Sequence, residues 1–447
     1  MNCNAIFWAM GMLILASSWG QAQSMVGTTL SLAEATEQAL ENNFGIQVAR
    51  LRAETAEVND SWGGAGALPA LGLRTAGSST ITDQSENPTS FIQEKLEAES
   101  FDVSGQLNWT LFDGMGMFAN KRSLELLAEQ SGGEVDLMVE QTAQAVISAY
   151  QAVVVQDSIL SMLRETLNLS RDRLDWVRKR EDLGSAGSFE TMQFENALWS
   201  DSVAWVRQNS ARRTAMRNFN RLLGADETSE WRLTTPLAPL QPFEERFPDR
   251  EELVLRVSTD ATRVRNARLA EALAQTGVDQ AQARLYPVLG LNVNLGDLRS
   301  EFAAGEFSGA GRTRNQGASL VLNFNLFNGG TTKRAIEQAR IQLEMAGVSR
   351  MDESAAAAQS IRNALDAYKT QEVIWELLRE AASNADDLLD LAKTRFEFGS
   401  INSFDYREIQ IAALQANLAH LQELQIWHQA HWEVERLTGK LSLQMKD

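Results

Sequence analysis

One eight-residue stretch occurs twice in the chain, at a separation that other matches share. Residues 107–114 read LNWTLFDG, and residues 322–329, 215 positions later, read LNFNLFNG. The same offset relates Gly184 to Gly399, and upstream of these matches the offset becomes 218 residues. A repeat of this length far exceeds the roughly 20–45 residues of a solenoid repeat. The sequence therefore predicts two copies of one structural half in a single chain.

The helical segments are unusually long. Proline is absent from residues 114–183 and 329–398, and at 1.5 Å per residue each segment predicts a helix on the order of 100 Å long. Helices in compact domains average only about 11–12 residues, so helices of this length must pack side by side. Each ends at a Gly-Ser turn that begins with Gly184 or Gly399. The returning helices are predicted over residues 188–223 and 403–438.

Each half also contains two predicted strands. Apolar residues alternate with Asn, Thr or Gln along residues 102–111 and 318–327, which is the period of a strand with two unlike faces. Such a face pair fits a soluble sandwich or an outer-membrane barrel, and the long helices favour the barrel. The predicted strands are 69–81, 102–111, 287–296 and 318–327, the loops 82–101 and 298–316, and the flanking helices 31–66 and 249–284.

Four strands per chain cannot close a transmembrane barrel, and open sheet edges do not occur in lipid. Two chains would supply eight strands around a filled interior, whereas three would supply twelve and leave a lumen. A conduit thus favours three or more chains. The predicted fold is mainly α with a β-barrel portion: a tandem-repeat, long-helix α-barrel plus four strands per chain in a trimeric transmembrane β-barrel.

The order of the segments predicts the domain organisation. Residues 5–16 form an apolar run followed by small and polar residues, so residues 1–22 are predicted to be a signal peptide. A short membrane anchor is the alternative, although the run is shorter than a span of about 20 residues. Later stretches do not approach 18 uninterrupted apolar residues, so no transmembrane helix is predicted. The remaining predicted segments are the first repeat 23–224, the linker 225–248 with four of the seven prolines, the second repeat 249–440 and the tail 441–447.

Charge and local motifs exclude several function classes. The 447 residues include 59 acids and 41 bases, a net charge of −18, which argues against nucleic acid as a partner and against anionic membrane surfaces. His428, His431 and Glu435 share a helix face and make a metal site conceivable, but surface or groove histidines are the preferred interpretation. The sequence contains no nucleophile–base constellation and no phosphate-binding loop. We therefore predict no enzymatic activity, cofactor or metal.

The ordered set of features resembles the TolC family of outer-membrane efflux and secretion channels. The resemblance rests on the tandem repeat, the helix–strand–strand–helix order, the LFDG and LFNG motifs that end at Gly114 and Gly329, and FEFGSINSFD over residues 396–405. It covers nearly all of the mature chain. It implies a homotrimer in the outer membrane with a long periplasmic tunnel, which opens when a periplasmic adaptor and an inner-membrane transporter dock.

The resemblance also implies a gate at the periplasmic helix tips. The family places rings of carboxylates six and nine residues after the tip glycine, and Asp405 and Glu408 stand there relative to Gly399. Glu190 occupies the corresponding position in the first half, and Phe396 matches the family's tip aromatic. The resemblance thus assigns gating and selectivity to these four residues.

Two observations at the tips compete with that assignment. Ile401 stands where some family members carry a basic residue that latches the closed state, and its side chain cannot form an ion pair. The tip acids also fit a simpler role as solvated helix-start residues, because carboxylates there complement the helix dipole.

The predicted function is an outer-membrane channel of a tripartite efflux or type I secretion system, a passive conduit from the periplasm to the exterior. The alternative is a periplasmic coiled-coil adaptor or structural protein. The channel hypothesis predicts that the loops 82–101 and 298–316 are extracellular and that the two strand faces meet lipid and lumen. The side chains predicted to face lipid are Leu107, Trp109, Leu322 and Phe324, and those predicted to face the lumen are Asn108 and Asn323.

Overall fold

The computed structural model describes residues 28–439, so the predicted signal peptide and the predicted tail 441–447 lie outside the described residues. The helices are α1 (Leu32–Asn42), α2 (Phe44–Asn59), α3 (Gly116–Asp182), α4 (Ser188–Leu223), α5 (Phe243–Arg246), α6 (Arg250–Asp260), α7 (Thr262–Ala283), α8 (Thr331–Glu397) and α9 (Ser403–Leu437). The strands are β1 (Thr28–Leu30), β2 (Ala70–Asp83), β3 (Lys95–Phe112), β4 (Trp231–Leu233), β5 (Val288–Ala304) and β6 (Phe307–Asn323).

Both long helices are present. α3 and α8 have 67 residues each, and the returning helices α4 and α9 have 36 and 35. Their ends agree with the predicted ends to within two residues, because the tip glycines and the missing prolines mark them in the sequence.

The shorter predicted helices are each interrupted. The helix predicted over residues 31–66 is two helices, and the side chain of Asn43 caps α2 by accepting hydrogen bonds from the amides of Gly45 and Ile46. The helix predicted over residues 249–284 breaks at Ala261, whose ψ of 142° is extended. Both predictions of one continuous helix are wrong. A single non-helical residue interrupts each helix without disturbing the apolar periodicity on either side of it.

One part of α3 is apolar enough to cross a membrane by length and composition. An 18-residue window within Gly116–Asp182 has a mean hydropathy of 1.4, and 39% of the window is buried. Polar residues interrupt the apolar runs of α3, so the absence of a long uninterrupted apolar run did not exclude such a window. The window alone does not identify a membrane span, because core helices pass the same test.

The chain divides into two compact units, which interleave along the sequence. Within the described residues, the first comprises residues 28–38 and 149–236, and the second comprises 39–148 and 237–439. In the first unit, β1 and β4 pair in parallel. The Tyr150 hydroxyl donates to the Leu30 carbonyl at 3.0 Å and accepts from the Thr235 amide at 2.9 Å, which ties these segments to the buried part of α3.

The second unit contains a four-stranded antiparallel sheet in the order β2-β3-β5-β6. β5 and β6 are joined by Gly305 and Glu306 alone, so the predicted loop 298–316 is wrong. The predicted loop 82–101 shortens to residues 84–94, and β6 ends at Asn323, before Phe324. Strand pairing uses backbone groups, so it continues where the apolar side chains that marked the strands stop.

The pairing register confirms two unlike faces. Leu71, Leu107 and Val293 stand directly opposite one another on three neighbouring strands. The adjacent row contains Asn108 and Asn292. Residues directly opposite in an antiparallel sheet point to the same side, so an apolar face and a polar face extend across the sheet. Leu322, opposite Leu289, belongs to the apolar face, and Asn323 belongs to the polar face.

The core of the second unit lies between α5, α6, α8 and α9, with Tyr368 fully buried at its centre. His428 and His431 border this core and are also buried, which corrects the surface interpretation. His428 Nε2 lies 2.7 Å from the Ala238 carbonyl oxygen, and burial lowers the pKa of this ring. Glu435 forms an ion pair with Arg246. The face that suggested a metal site therefore packs inside the unit.

Candidate functional site

The predicted gate residues lie at two helix tips, one in each unit. In the second unit, α8 ends in a turn in which Gly399 has a φ of +69°, a conformation that favours glycine. The Gly399 amide donates to the Phe396 carbonyl at 2.9 Å, and the Ser400 amide donates to the Arg395 carbonyl at 2.8 Å. This bond pair is a Schellman motif, which satisfies carbonyls that the helix end leaves open.

Asp405 is part of the cap that starts α9. The Asn402 side chain accepts a hydrogen bond from the Asp405 amide, and its own amide group donates to the Asp405 carboxylate, both at 2.9 Å. The first bond is a side-chain N-cap, the second joins the two side chains, and the carboxylate complements the positive end of the helix dipole. Asp405 therefore stabilises the helix start within its own chain, whatever further role it has.

Glu408 lies one turn further along α9. It is three residues from Asp405, so the two carboxylates share a helix face, and both are exposed. Within the described residues, neither forms an ion pair. The tip of the second unit thus presents two uncompensated negative charges on one exposed face.

Phe396 occupies a different environment. The residue is 5% exposed, and its ring stacks on the Tyr406 ring, with centroids 5.1 Å apart and planes at 24°. This contact joins the last turn of α8 to the first turn of α9, which holds the hairpin closed. The large apolar side chains exposed at this tip are instead Phe398 and Phe404, at 82% and 64%.

The first unit repeats the turn of the second. Gly184 has a φ of +73°, its amide donates to the Glu181 carbonyl at 2.8 Å, and the Ser185 amide donates to the Arg180 carbonyl at 2.8 Å. The N-cap residue of the following helix α4 is Gly187, which has no side chain to cap it. The backbone of the two tips is therefore the same, and their caps differ.

Glu190 has a cation beside it. Arg180 Nη1, from the end of α3, lies 3.9 Å from a Glu190 carboxylate oxygen, and the guanidinium also stacks 4.7 Å from the Trp176 ring centre. Thr191 donates to the Glu181 carboxylate across the same turn. The acid that corresponds to Asp405 is thus partly neutralised in the first unit.

The two strand-to-helix junctions use glycine for different reasons. Gly114 has a φ of +73°, and a Cβ atom there would lie 2.4 Å from the Ala283 carbonyl oxygen. Gly329 has a φ of +65°, but a side chain would meet only open space. The first junction thus needs glycine for its backbone conformation and its close packing, and the second for conformation alone.

Two residues of the tips, Asn402 and Arg180, were not predicted from the sequence. The Asn-x-x-Asp spacing of residues 402–405 was a readable signal, because it matches the spacing of a capping box. Arg180 is separated from Glu190 by the tip turn, and only the folded hairpin brings the two together.

Sequence comparison identifies related proteins. Residues 259–440 match the family model described as outer membrane efflux protein. The chain is similar to the probable efflux pump outer membrane protein TtgC of Pseudomonas putida, with 21% identity over 395 residues that cover 85% of this chain and 77% of the relative. It is also similar to the outer membrane protein OprJ of Pseudomonas aeruginosa, with 24% identity over 276 residues that cover 59% of this chain and 53% of the relative.

Solved structures share the architecture. The CmeC outer membrane channel of Campylobacter jejuni has a TM-score of 0.73 at 16% identity, covering 100% of this chain and 96% of that one. The open state of the MtrE outer membrane channel of Neisseria gonorrhoeae has a TM-score of 0.70 at 16% identity, covering 91% and 88%. At these identities, the likeness shows a common fold.

Proposed function

Because the chain belongs to the outer membrane efflux protein family, we propose that it is the outer-membrane channel of a tripartite efflux or type I secretion system. In this role it is a passive conduit from the periplasm to the exterior. The family consists of outer-membrane channel proteins and not of enzymes. The observation that carries the proposal is one sheet with an apolar and a polar face in the same chain as two 67-residue helices.

The sheet supports a shared barrel. Within the described residues, β2 and β6 each pair on one side only, which leaves two sheet edges open. Open edges do not occur in lipid, so a membrane barrel requires strands from other copies. Three copies would supply twelve strands and a lumen, which supports a homotrimer with closed symmetry.

In such a barrel the apolar face meets lipid and the polar face lines the lumen. Leu107, Trp109 and Leu322 lie on the first face, and Asn108 and Asn323 lie on the second. A charge at mid-bilayer costs roughly 2–4 kcal/mol on the lipid side and little in the lumen. We expect Leu322→Arg to reduce assembly in the outer membrane and Asn323→Arg to leave it unchanged.

The helix tips support a periplasmic gate. Threefold symmetry would repeat Asp405 and Glu408 around one axis as two rings of three carboxylates, and such rings favour cations and repel anions. Phe396 and Glu190 enter this proposal differently: Phe396 holds its hairpin together, and Glu190 carries a partly compensated charge. An adaptor and an inner-membrane transporter are the proposed partners at this end.

The test is conduction through purified full-length protein in planar bilayers. Asp405→Asn with Glu408→Gln should lower cation selectivity and relieve block by polyvalent cations. The matched control is Glu376→Gln with Asp387→Asn, which removes the same two charges from exposed positions within α8. If the tip variant keeps its cation selectivity and its block by polyvalent cations, the constriction lies elsewhere. The same conclusion follows if both properties fall equally in the control variant.

A second measurement tests the conduit itself. The chain should fractionate with the outer membrane and migrate as a heat-modifiable oligomer. A monomer found in the soluble periplasmic fraction would instead support the adaptor or structural alternative.

A further inference from the structure

The apolar face of the sheet does not stay apolar along its whole length. On β5 it carries Leu291, Val293 and Leu295, and the next residue on this face, Asp297, is charged. Two residues beyond Asp297 stands Arg299, which is exposed. The strands continue for several residues past this point, so the sheet extends beyond its apolar band.

The register brings three arginines together at this boundary. Arg314 of β6 is directly opposite Asp297, and Arg312 is directly opposite Arg299. On the other side of β5, β3 places Val103 in the first of these rows and Phe101 in the second. The two rows directly above the apolar band thus contain three arginines and one aspartate, a net charge of +2 on a chain whose net charge is −18.

The aspartate positions two of the arginines without occupying all of their donors. Arg312 Nε lies 2.8 Å and 3.0 Å from the two Asp297 oxygens, and Arg314 Nε lies 3.5 Å from one of them. Both guanidinium groups remain exposed, at 47% and 67%. Arg299 forms no ion pair shorter than 4.0 Å within residues 28–439, so its donors remain available.

We propose that Arg299, Arg312 and Arg314 form a basic collar that binds phosphate groups of membrane lipids at the edge of the apolar band. The inference rests on the proposed function, because it takes the apolar face as the lipid-facing one. Phosphates lie where the hydrocarbon core ends, which is where this face changes from Leu and Val to Arg. A guanidinium presents paired donors that match two phosphate oxygens.

The neighbouring charges define the height of the collar. The next row outward on the same face holds Glu99 directly opposite Glu301. Successive rows are two residues apart, or about 7 Å along a strand, so a phosphate at the arginine rows lies one row away from these acids. Arg74 belongs to the polar face, because it stands opposite Ser104 in the same alternation as Asn108. It is therefore a matched control for loss of an exposed arginine from the same sheet.

The test uses the detergent-purified full chain, titrated with a lipid A that carries two phosphates and followed by native mass spectrometry. Each arginine near an anionic lipid surface contributes about a fivefold gain in affinity. Arg299→Gln should therefore weaken binding about fivefold, and the triple Arg→Gln variant on the order of 100-fold. Arg74→Gln should bind as the unaltered chain does. Heat-modifiable migration verifies folding, and Arg299→Gln leaves the Asp297 ion pairs intact.

Two further arms identify the ligand. The same lipid with its phosphates removed should bind as weakly to the unaltered chain as the intact lipid binds to the triple variant. Inorganic phosphate at the same concentration should not displace the intact lipid. Any of three results would overturn the collar. Inorganic phosphate could displace the intact lipid, the dephosphorylated lipid could bind as tightly as the intact one, or the triple variant could bind the lipid as tightly as the unaltered chain does.

Channel conductance separates this inference from the proposed function. The unaltered chain could conduct in planar bilayers while the Arg→Gln variants bind lipid as tightly as it does. In that case the collar is wrong and the proposed channel function is unaffected. If the chain neither conducts nor fractionates with the outer membrane, the proposed function fails, and the lipid-facing orientation on which the collar rests fails with it.

Discussion

The two helix tips have the same backbone turn and different side-chain chemistry. Both place a glycine at a φ near +70° and close the helix with the same two amide–carbonyl hydrogen bonds. At the first tip, Arg180 from one helix lies beside Glu190 of the next. At the second tip, Asp405 is held by the Asn402 cap and forms no ion pair with any residue of the described range 28–439.

The difference shows which part of a repeat is fixed by geometry and which part can diverge. A left-handed residue between two antiparallel helices restricts the position to glycine, so both copies retain it. The charges around the turn are only partly buried, and exposed ion pairs change stability little, so they can differ between copies. If the tips form a gate, the second tip supplies most of its negative charge.

The largest effect is expected from the shared element. Gly184→Val and Gly399→Val should each destabilise their tip by about 1–2 kcal/mol, because a branched side chain is strained at positive φ. Hydrogen exchange of amides around each turn measures this locally. Gly132→Ala, in the interior of α3 with open space around it, is the control and should increase protection. Unequal losses at the two tips would contradict a common turn.

The next effect separates the caps. Asn402→Ala should destabilise the start of α9 by about 1 kcal/mol, because it removes the acceptor for the Asp405 amide. Gly187→Asn at the corresponding place in the first tip should gain only about a few tenths of a kcal/mol. The same exchange measurement applies. An unchanged α9 start in Asn402→Ala would show that the capping interaction contributes nothing measurable.

A smaller effect on stability is expected from the ion pair. Arg180→Gln should cost only about a few tenths of a kcal/mol, because the 3.9 Å pair is partly exposed. It should raise cation selectivity in bilayers if Glu190 lies at the constriction. Arg178→Gln, which breaks the pair with Glu195, is the matched control. If Arg180→Gln and Arg178→Gln have the same cation selectivity, Glu190 does not lie at the constriction.

The last prediction concerns the buried Glu140, because its titration affects any comparison of the two tips at acidic pH. Burial raises the pKa of Glu140, and a hydrogen bond from Thr262 at 2.7 Å opposes the shift. Between the ordinary and the raised value the folded chain binds more protons than the unfolded chain, so stability falls as pH rises. Glu140→Gln keeps the side-chain volume and should flatten the unfolding free energy in that pH range. An unaltered slope would show that another group titrates there.

Some features of the fold follow from the sequence alone. The repeat, the two long helices and the tip glycines depend on local rules, namely apolar periodicity, the absence of proline and the backbone freedom of glycine. The apolar and polar faces of the strands follow from alternation in the same way. Of the candidate site, the positions of Asp405, Glu408 and Glu190 at helix starts could be predicted, because each follows a tip glycine at a fixed spacing.

Other features were decided only by tertiary structure. β5 and β6 continue through the predicted loop because strand pairing joins backbone groups and needs no apolar side chain. The burial of Phe396 against Tyr406 and the approach of Arg180 to Glu190 depend on how each hairpin closes. The three arginines beside Asp297 are separated in the sequence by the hairpin turn and become neighbours through its register. Sequence periodicity specifies which side of an element a residue occupies, and only pairing and packing specify what stands opposite it.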